Sequence, residues 1–462
     1  MSEAIPPEEQ RKWDDFSRVI NIEVMPDDIQ LKGRLSEADA GILPPEALRF
    51  IAALSRRFEE RRREILSRRV IRQRQIDAGR FPDFLPETAS IRDLEWKAAA
   101  LPPWMKEWEA QVVADFEDGT SPLWEKIVQG HINLRDAAGK ITSAVEPRGW
   151  HLVEKHLWVD GKPVSASIFD SGLFLFHSAR RLLEAGAGPF LFLPKLEQQI
   201  EARLWNDLFS DMENLLAIPP GSVRTAVLIE TVPAVLEADE ILWELKNRCA
   251  GLVFGKKNYL FSIIKTFQNH PDFILPAYPD ISGREPFFEN CEKLLAQICR
   301  RRGVAAAVWD GLRQSRFLPQ TSEPLPALVT AHELLRVPKG QVTEEQLRFC
   351  VRIGLFSLES WLRGAGPAVI DGRLENIASA EVCRCQLWQW VRHKTVTVEG
   401  QAVTRQRIAH LLQKEIDAIQ ATEDRSKTAI GQAATLFVKC ITDPILPEFL
   451  TIAGYDFLKS AP

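Results

Sequence analysis

The feature that most constrains the fold is an alternation of short apolar runs and helical segments between about residues 108 and 320. Four of these runs end directly in polar side chains, a pattern typical of parallel strands whose C-terminal ends carry a site. The alternation therefore predicts a β/α barrel with its site at the strand ends. The runs are residues 112–114 before Asp115 and Asp118, 190–193 before Lys195, 226–229 before Glu230, and 250–254 before Asn258.

The segments on either side of this region have helical periodicity. Residues 45–78 predict one long helix, with apolar residues at helical spacing and arginines and glutamates between them. The arginine runs 61–63 and 68–69 are interleaved with glutamates, so we interpret them as a solvated helix face. Beyond residue 340 the pattern predicts helices at 344–363, 379–393, 405–421 and 427–442, with a hairpin or irregular turn at 395–404.

Composition excludes several classes of function. The net charge is −5, so no overall positive field attracts nucleic acid, and the apolar runs are too short to span a membrane. The seven cysteines lack framework spacing, and Cys383 and Cys385 are expected to be buried thiols rather than a metal site. The first residues lack a signal-peptide pattern, which predicts a cytoplasmic protein.

A series of motifs runs through most of the chain in a fixed order. Together they resemble the A-type malate synthase family. They are Phe81-Pro-Asp-Phe-Leu-Pro-Glu-Thr-Ala, Ala114-Asp-Phe-Glu-Asp, Ile132-Asn-Leu-Arg-Asp, Pro147-Arg-Gly-Trp-His-Leu, Leu193-Pro-Lys-Leu-Glu, Glu201-Ala-Arg-Leu-Trp-Asn-Asp, Val227-Leu-Ile-Glu-Thr, His270-Pro-Asp-Phe-Ile-Leu-Pro, Val337-Pro-Lys-Gly-Gln-Val-Thr-Glu-Glu and Gln386-Leu-Trp-Gln-Trp.

The resemblance implies an α/β fold with three parts. Residues 1–88 would form an N-terminal helical clasp and 89–325 a TIM-type (β/α)8 barrel. Residues 326–462 would form an all-helical C-terminal domain that closes over the barrel mouth. The family condenses acetyl-CoA with glyoxylate in the presence of Mg²⁺, so an acyl thioester and a small 2-oxo acid are the expected ligands.

The family chemistry assigns roles to individual positions. A base must remove the thioester α-proton, and a cation must stabilise the enolate that forms. Arg148 matches the family's catalytic arginine and Glu230 matches a metal-binding carboxylate. Asp115, Asp118 and Glu230 are candidate substrate-binding residues. His151 and His156 are expected to be structural, and an alternative for Arg148 is an ion pair with Asp115 or Glu230.

Two positions depart from the family pattern in a way that affects chemistry. Asn258 stands where the family has the second metal-binding aspartate, so Mg²⁺ binding is expected to be weakened or lost. Asn376 stands where the family has its catalytic aspartate base, and a carboxamide has no useful basicity. The adjacent Glu375 is a less favoured substitute, because neighbouring residues point in different directions.

The chain is also shorter than the family pattern in two places. The first barrel unit is reduced to residues 97–111, where Trp104 and Trp108 are prominent, and a long segment after residue 308 is largely deleted. Both changes predict a partly truncated barrel with an altered glyoxylate pocket and CoA groove.

Three functions remain open, and ordinary malate synthesis is the least favoured. The first alternative is altered enolate chemistry on an acyl thioester, for example by decarboxylation, with Asn376 and Arg148 stabilising the enolate. The second is an inactive relative that serves as a binding or assembly partner.

Overall fold

A computed structural model describes residues 28–32, 37–105, 112–138, 143–281, 283–309, 315–318, 329–420 and 427–458. Twelve strands occur among these residues. They are β1 (Ile29–Leu31), β2 (Val112–Asp115), β3 (Ser143–Glu146), β4 (Val153–Val159), β5 (Lys162–Ser165), β6 (Phe190–Leu193), β7 (Arg224–Ile229), β8 (Cys249–Gly255), β9 (Ala305–Trp309), β10 (Ser315–Phe317), β11 (Ala368–Ile370) and β12 (Arg373–Glu375).

The same residues form sixteen α-helices. They are α1 (Glu37–Ile42), α2 (Pro45–Asp77), α3 (Ala89–Asp93), α4 (Trp124–Ala137), α5 (Ala166–Glu184), α6 (Gln199–Leu215), α7 (Val232–Leu236), α8 (Ala238–Glu244), α9 (Lys256–Thr266), α10 (Pro286–Arg302), α11 (Ala331–Leu334), α12 (Glu344–Leu362), α13 (Ile377–Arg392), α14 (Arg405–Gln420), α15 (Lys427–Thr442) and α16 (Leu450–Tyr455).

The central sheet is a curled, open part of a barrel. Its strand order is β10-β9-β8-β7-β6-β3-β2, with six parallel strands and β10 antiparallel at one edge. The strands β6 and β8 are buried along their whole length, because helices cover one face of the sheet and side chains fill the other. The predicted truncated TIM-type barrel is confirmed, and the four apolar runs are four of its strands.

The trimmed first barrel unit is visible where the chain is described. Residues 97–105 contain a single 3-10 turn, Pro103–Met105, and no strand. Trp104 packs so closely against Gly188 that a Cβ on that glycine would lie 2.7 Å from the indole. The indole therefore fills space beside the sheet. Trp108 and residues 310–314 and 319–328, which include part of the predicted deletion site, lie outside the described residues.

The long helix α2 packs across α5 and α6 rather than standing free in solvent. The expectation of a solvated arginine face is wrong at Arg62 and Arg69, which are buried. Arg69 donates to both carboxylate oxygens of Glu201, at 2.9 and 2.7 Å. This pair attaches α2 to α6. Arg62 pairs with Glu59 of its own helix and donates to the backbone carbonyl of Trp150, which gives α2 a second attachment.

The C-terminal helices form their own apolar core and also contact the barrel. The predicted helices are present as α12 to α15, and Val396 and Ala402 form the bridge of the predicted turn. Helix α13 packs on α9, which follows strand β8. The hairpin β11–β12 leads into α13. The N-terminus of α13 lies at the C-terminal end of the barrel sheet. The predicted domain limits remain a prediction.

Two expectations from composition concern the cysteines and membrane-spanning helices. All seven cysteines are buried free thiols, including Cys383 and Cys385 within α13. Within the described part of the chain, the helices are too short or too polar to cross a bilayer.

Candidate active site

The C-terminal ends of the parallel strands surround one cavity of about 250 Å³. Strand β2 ends at Asp115 and β3 ends at Glu146, while Glu230 follows β7 and Asn258 lies in the first turn of α9. Parallel strands bring these residues together because their carboxyl ends meet at one edge of the sheet. The lining also includes Asp118, Gly119, Leu228, Gly255, Lys257, Trp309, Pro367, Leu374, Asn376 and Ala378.

A tight turn after β2 sets the position of Asp118. The Oδ1 atom of Asp115 accepts hydrogen bonds from the backbone N–H groups of Glu117 at 2.9 Å and Asp118 at 3.0 Å. A Cβ on Gly119 would lie 2.7 Å from the other oxygen of Asp115, so this turn requires glycine. The turn directs Asp118 toward Asn258 and Lys195.

The amide of Asn258 joins two carboxylates. Its Nδ2 atom donates to Oε1 of Glu230 at 2.6 Å and to Oδ2 of Asp118 at 3.1 Å. The second oxygen of Glu230 accepts from the backbone N–H of Lys195 at 3.1 Å. The structure therefore brings together Asp118, Glu230 and Asn258, and their roles remain predictions.

Lys195, in the Leu193-Pro-Lys-Leu-Glu motif, also belongs to the site, although no role is predicted for it from the sequence. Its Nζ donates to Glu117 at 2.7 Å and to Asp118 at 2.9 Å, and its backbone has a φ of 55°. Burial disfavours the ammonium, but the carboxylates of Asp118 and Glu117 raise the pKa of Lys195 well above its usual value. Its place directly after β6, like that of Glu146 at the end of β3, was the signal available in the sequence.

Asp115, Glu230 and Glu146 have raised pKa values. Burial, followed by the charge of Asp118, raises the pKa of Asp115 to about 6. Burial likewise raises the pKa of Glu230 to about 7, and the Asp118 carboxylate adds to the shift. The pKa of Glu146 is raised well above its ordinary value by burial and by its carboxylate neighbours. Negative charge in this cavity is therefore costly and readily neutralised by protons.

Arg148 is held in a separate cluster and is not among the side chains that line the cavity. Its Nε and Nη2 donate to Asp170 at 2.9 and 2.7 Å, and its Nη1 lies 2.8 Å from Glu154. The expected alternative, an ion pair with Asp115 or Glu230, is wrong in its partners. Asp170 comes from α5 and Glu154 from β4, and both reach the arginine because those elements pack beside the end of β3.

Asn376 reaches the cavity from the C-terminal helices. It is the residue before α13, and its backbone N–H donates a long hydrogen bond of 3.4 Å to the hydroxyl of Ser379. The neighbouring Glu375 does not line the cavity, and its Oε2 contacts the Ser379 hydroxyl, Lys257 at 3.3 Å and the Tyr278 hydroxyl at 3.4 Å. This carboxylate is bound to its own neighbours, which agrees with its low ranking as a substitute base.

The two histidines have structural partners. The His151 ring stacks on Phe449 with centroids 4.1 Å apart, and its Nε2 lies 3.1 Å from Glu117. The Nδ1 of His156 lies 2.7 Å from Glu154. Both rings are fixed beside the two acidic clusters, which supports their expected structural role.

The arrangement does not present a preformed magnesium site. Among the described residues, no three or more His, Cys, Asp or Glu side chains meet in a group that could hold a metal ion. The carboxylate oxygens of Asp118 and Glu230 suit Mg²⁺ chemically, but the amide nitrogen of Asn258 lies between them. The side chains as placed therefore do not fit the cation that the family uses.

Comparison with known proteins identifies the family. Sequence models match residues 27–90 (Malate synthase, N-terminal domain), 142–318 (Malate synthase, TIM barrel domain) and 341–458 (Malate synthase, C-terminal). A malate synthase of Myxococcus xanthus is 34% identical, over 94% of this chain and 97% of its own length. An Arabidopsis thaliana malate synthase is 32% identical, over 94% of this chain and 95% of its own. The chain belongs to the malate synthase family.

Solved structures give a more distant likeness. A lead(II) complex of the Haloferax volcanii malate synthase is 16% identical and has a TM-score of 0.36. It covers 70% of this chain and 88% of that one.

The relatives also measure what the chain lacks. The Myxococcus alignment spans 523 positions although the whole chain has only 462 residues, so that relative contains segments without a counterpart in this chain. This shortfall agrees with the trimming predicted from the sequence.

Proposed function

We propose that this family member acts on an acyl thioester through an enolate formed by loss of CO₂, rather than by the base-dependent route to malate. One observation carries the proposal. At the point of the cavity where the family pattern requires a base, the side chain is the carboxamide of Asn376. A carboxamide takes up no proton at neutral pH, but its N–H group can donate a hydrogen bond to an enolate oxygen.

Decarboxylation forms the same enolate without a base. In a malonyl thioester, the bond between the α-carbon and the carboxylate carbon breaks, and its electron pair forms the enolate while CO₂ leaves. The enolate carbon then attacks the carbonyl carbon of a small 2-oxo acid, whose oxygen becomes an alkoxide and takes a proton from water. The products are CO₂ and the thioester of a hydroxy diacid.

Side chains lining the cavity suit this step. Lys257 lines the same wall as Asn376, and its ammonium donates to the Ser379 hydroxyl at 2.8 Å and contacts Glu375 at 3.3 Å. This partly paired cation can still contribute to stabilising the enolate. A cavity of about 250 Å³ accommodates a small acyl group. Arg148 is assigned no contact with the reacting atoms, because Asp170 and Glu154 occupy its guanidinium.

The proposal is tested by supplying the two thioesters separately. Purified protein is incubated with malonyl-CoA or acetyl-CoA, each with glyoxylate and with or without Mg²⁺, and released CO₂ and malate are measured. We expect CO₂ from malonyl-CoA and no malate from acetyl-CoA. Asn376→Ala is expected to reduce CO₂ release, because the hydrogen-bond donor is lost. Malate formation from acetyl-CoA would overturn the assignment, since it requires a working base.

A second candidate is a non-catalytic relative that serves as a binding or assembly partner. The cluster of Arg148, Asp170 and Glu154 favours it, because the arginine that matches the family's catalytic residue is here ion-paired with two buried carboxylates of the scaffold. No CO₂ from malonyl-CoA, together with no change in melting temperature on adding either thioester, would establish this second candidate over the first.

A further inference from the structure

We infer that the carboxamide of Asn258 takes the place of a divalent cation in the cavity, cross-linking Asp118 and Glu230 by hydrogen bonds. The amide nitrogen lies 2.6 Å from one carboxylate and 3.1 Å from the other, so its two N–H bonds connect the side chains. The inference concerns the resting site and does not depend on the proposed reaction.

The orientation of the amide follows from charge. Turning it over would place the carbonyl oxygen within 2.6 Å of a carboxylate oxygen, where two acceptors repel each other. When both carboxyl groups are ionised, only the NH₂ group can face them while no cation lies between them. A cation would reverse this preference, because it would attract the carbonyl oxygen instead.

Two residues satisfy all four oxygens of the carboxylate pair. The two oxygens of Asp118 receive Lys195 Nζ at 2.9 Å and Asn258 Nδ2 at 3.1 Å. The two oxygens of Glu230 receive Asn258 Nδ2 at 2.6 Å and the Lys195 backbone N–H at 3.1 Å. Each buried acceptor has a donor, so the pair is stable without a metal ion.

An aspartate at position 258 would leave the carboxylates without this amide donor. Three carboxylates would then face one another in a buried site, and their repulsion would favour a bound cation. A change from carboxylate to carboxamide converts a site that needs a cation into one that is already satisfied. In this view Asn258 hinders metal binding rather than acting as a weak ligand. The two possibilities predict opposite effects on metal affinity when the amide is removed.

The test measures Mn²⁺ binding, from the electron paramagnetic resonance signal of free Mn²⁺, to the wild type, Asn258→Ala and Asn258→Asp. If the amide replaces the cation, removing it frees two carboxylate oxygens, so Asn258→Ala binds Mn²⁺ about tenfold more tightly than the wild type. Asn258→Asp binds more tightly again and gains a Mg²⁺-dependent rise in melting temperature.

The double variant Asn258→Asp with Glu230→Gln serves as the control, because it has the aspartate but lacks a second carboxylate partner. Its Mn²⁺ affinity is expected to return toward that of the wild type. Wild-type binding equal to or tighter than that of Asn258→Ala shows that the amide acts as a ligand and overturns the inference. A folded Asn258→Asp with no gain over the wild type also overturns it. Should that variant fail to fold, the comparison with Asn258→Ala alone decides.

Discussion

The protein contains two clusters of carboxyl groups. One cluster is paired with an arginine, and the other is not. Asp170 and Glu154 contact Arg148, and despite their burial the arginine lowers the pKa of both. In the cavity, Asp115 and Glu230 lie among other carboxylates, and burial raises their pKa values to about 6 and about 7. At neutral pH the lowered pKa values keep Asp170 and Glu154 ionised, whereas Glu230, with a pKa of about 7, is only partly ionised.

This difference separates scaffold from site. A buried carboxylate with a bidentate arginine is fixed in charge and position, because both partners lose much if either is removed. A buried carboxyl group near pKa 7 changes charge with small changes in its surroundings and can respond to a ligand. We therefore expect the Arg148 cluster to contribute to stability and the cavity to bind a ligand.

The largest expected effect comes from removing the arginine of the first cluster. Arg148→Ala leaves Asp170 and Glu154 buried without their cation, and we expect the free energy of unfolding to fall by about 3–5 kcal/mol. Urea unfolding followed by circular dichroism measures this change.

A matched control uses an arginine that pairs at the surface. Arg56 binds Asp160 at 2.8 Å, but the two side chains are 39% and 51% exposed. Arg56→Ala is expected to cost at most about 1 kcal/mol, because solvent screens the pair. A cost for Arg148→Ala no larger than this control would show that the first cluster is not structural.

The second prediction concerns Glu230 in the cavity, where removing the carboxylate is expected to stabilise the folded protein at high pH rather than destabilise it. Glu230 has a folded-state pKa above its usual value, so the stability it contributes is fully present at low pH and is lost as the pH rises through about 7. Glu230→Gln removes this loss. Relative to the wild type, we expect the variant to be more stable at pH 8 than at pH 5, by on the order of 1–3 kcal/mol.

Glu154→Gln is the companion change in the other cluster. The pKa of Glu154 is lowered, so its contribution is present above its usual pKa and is lost only in acid. This variant should lose stability by similar amounts at pH 5 and pH 8. The free energies of unfolding of both variants are measured at pH 5 and pH 8. A similar pH dependence in the two variants would contradict the distinction between the clusters.

Much of this architecture could be predicted from the sequence, because strands, helices and strand-end residues follow local patterns. The burial of Arg62 and Arg69 and the partners of Arg148 could not. Arg69 and Arg148 pair with carboxylates from elements distant in the chain, and the packing of α2 and α5 on the barrel decides which carboxylate is in reach. Likewise, residue identity placed Asn258 in the site, but only geometry shows that its amide connects Asp118 to Glu230.

The smallest expected effect on stability is at Asn376, the residue that is most important for the proposed chemistry. Its hydrogen-bonding distances to Ser379 are long, at 3.4 and 3.5 Å, so it caps α13 weakly. Asn376→Ala should therefore cost about 0.5–1 kcal/mol of unfolding free energy, near the lower end of the range for helix caps. A loss of CO₂ release from malonyl-CoA with so small a change in stability would assign Asn376 to the reaction. A cost well above 2 kcal/mol would instead make it part of the scaffold, like Arg148.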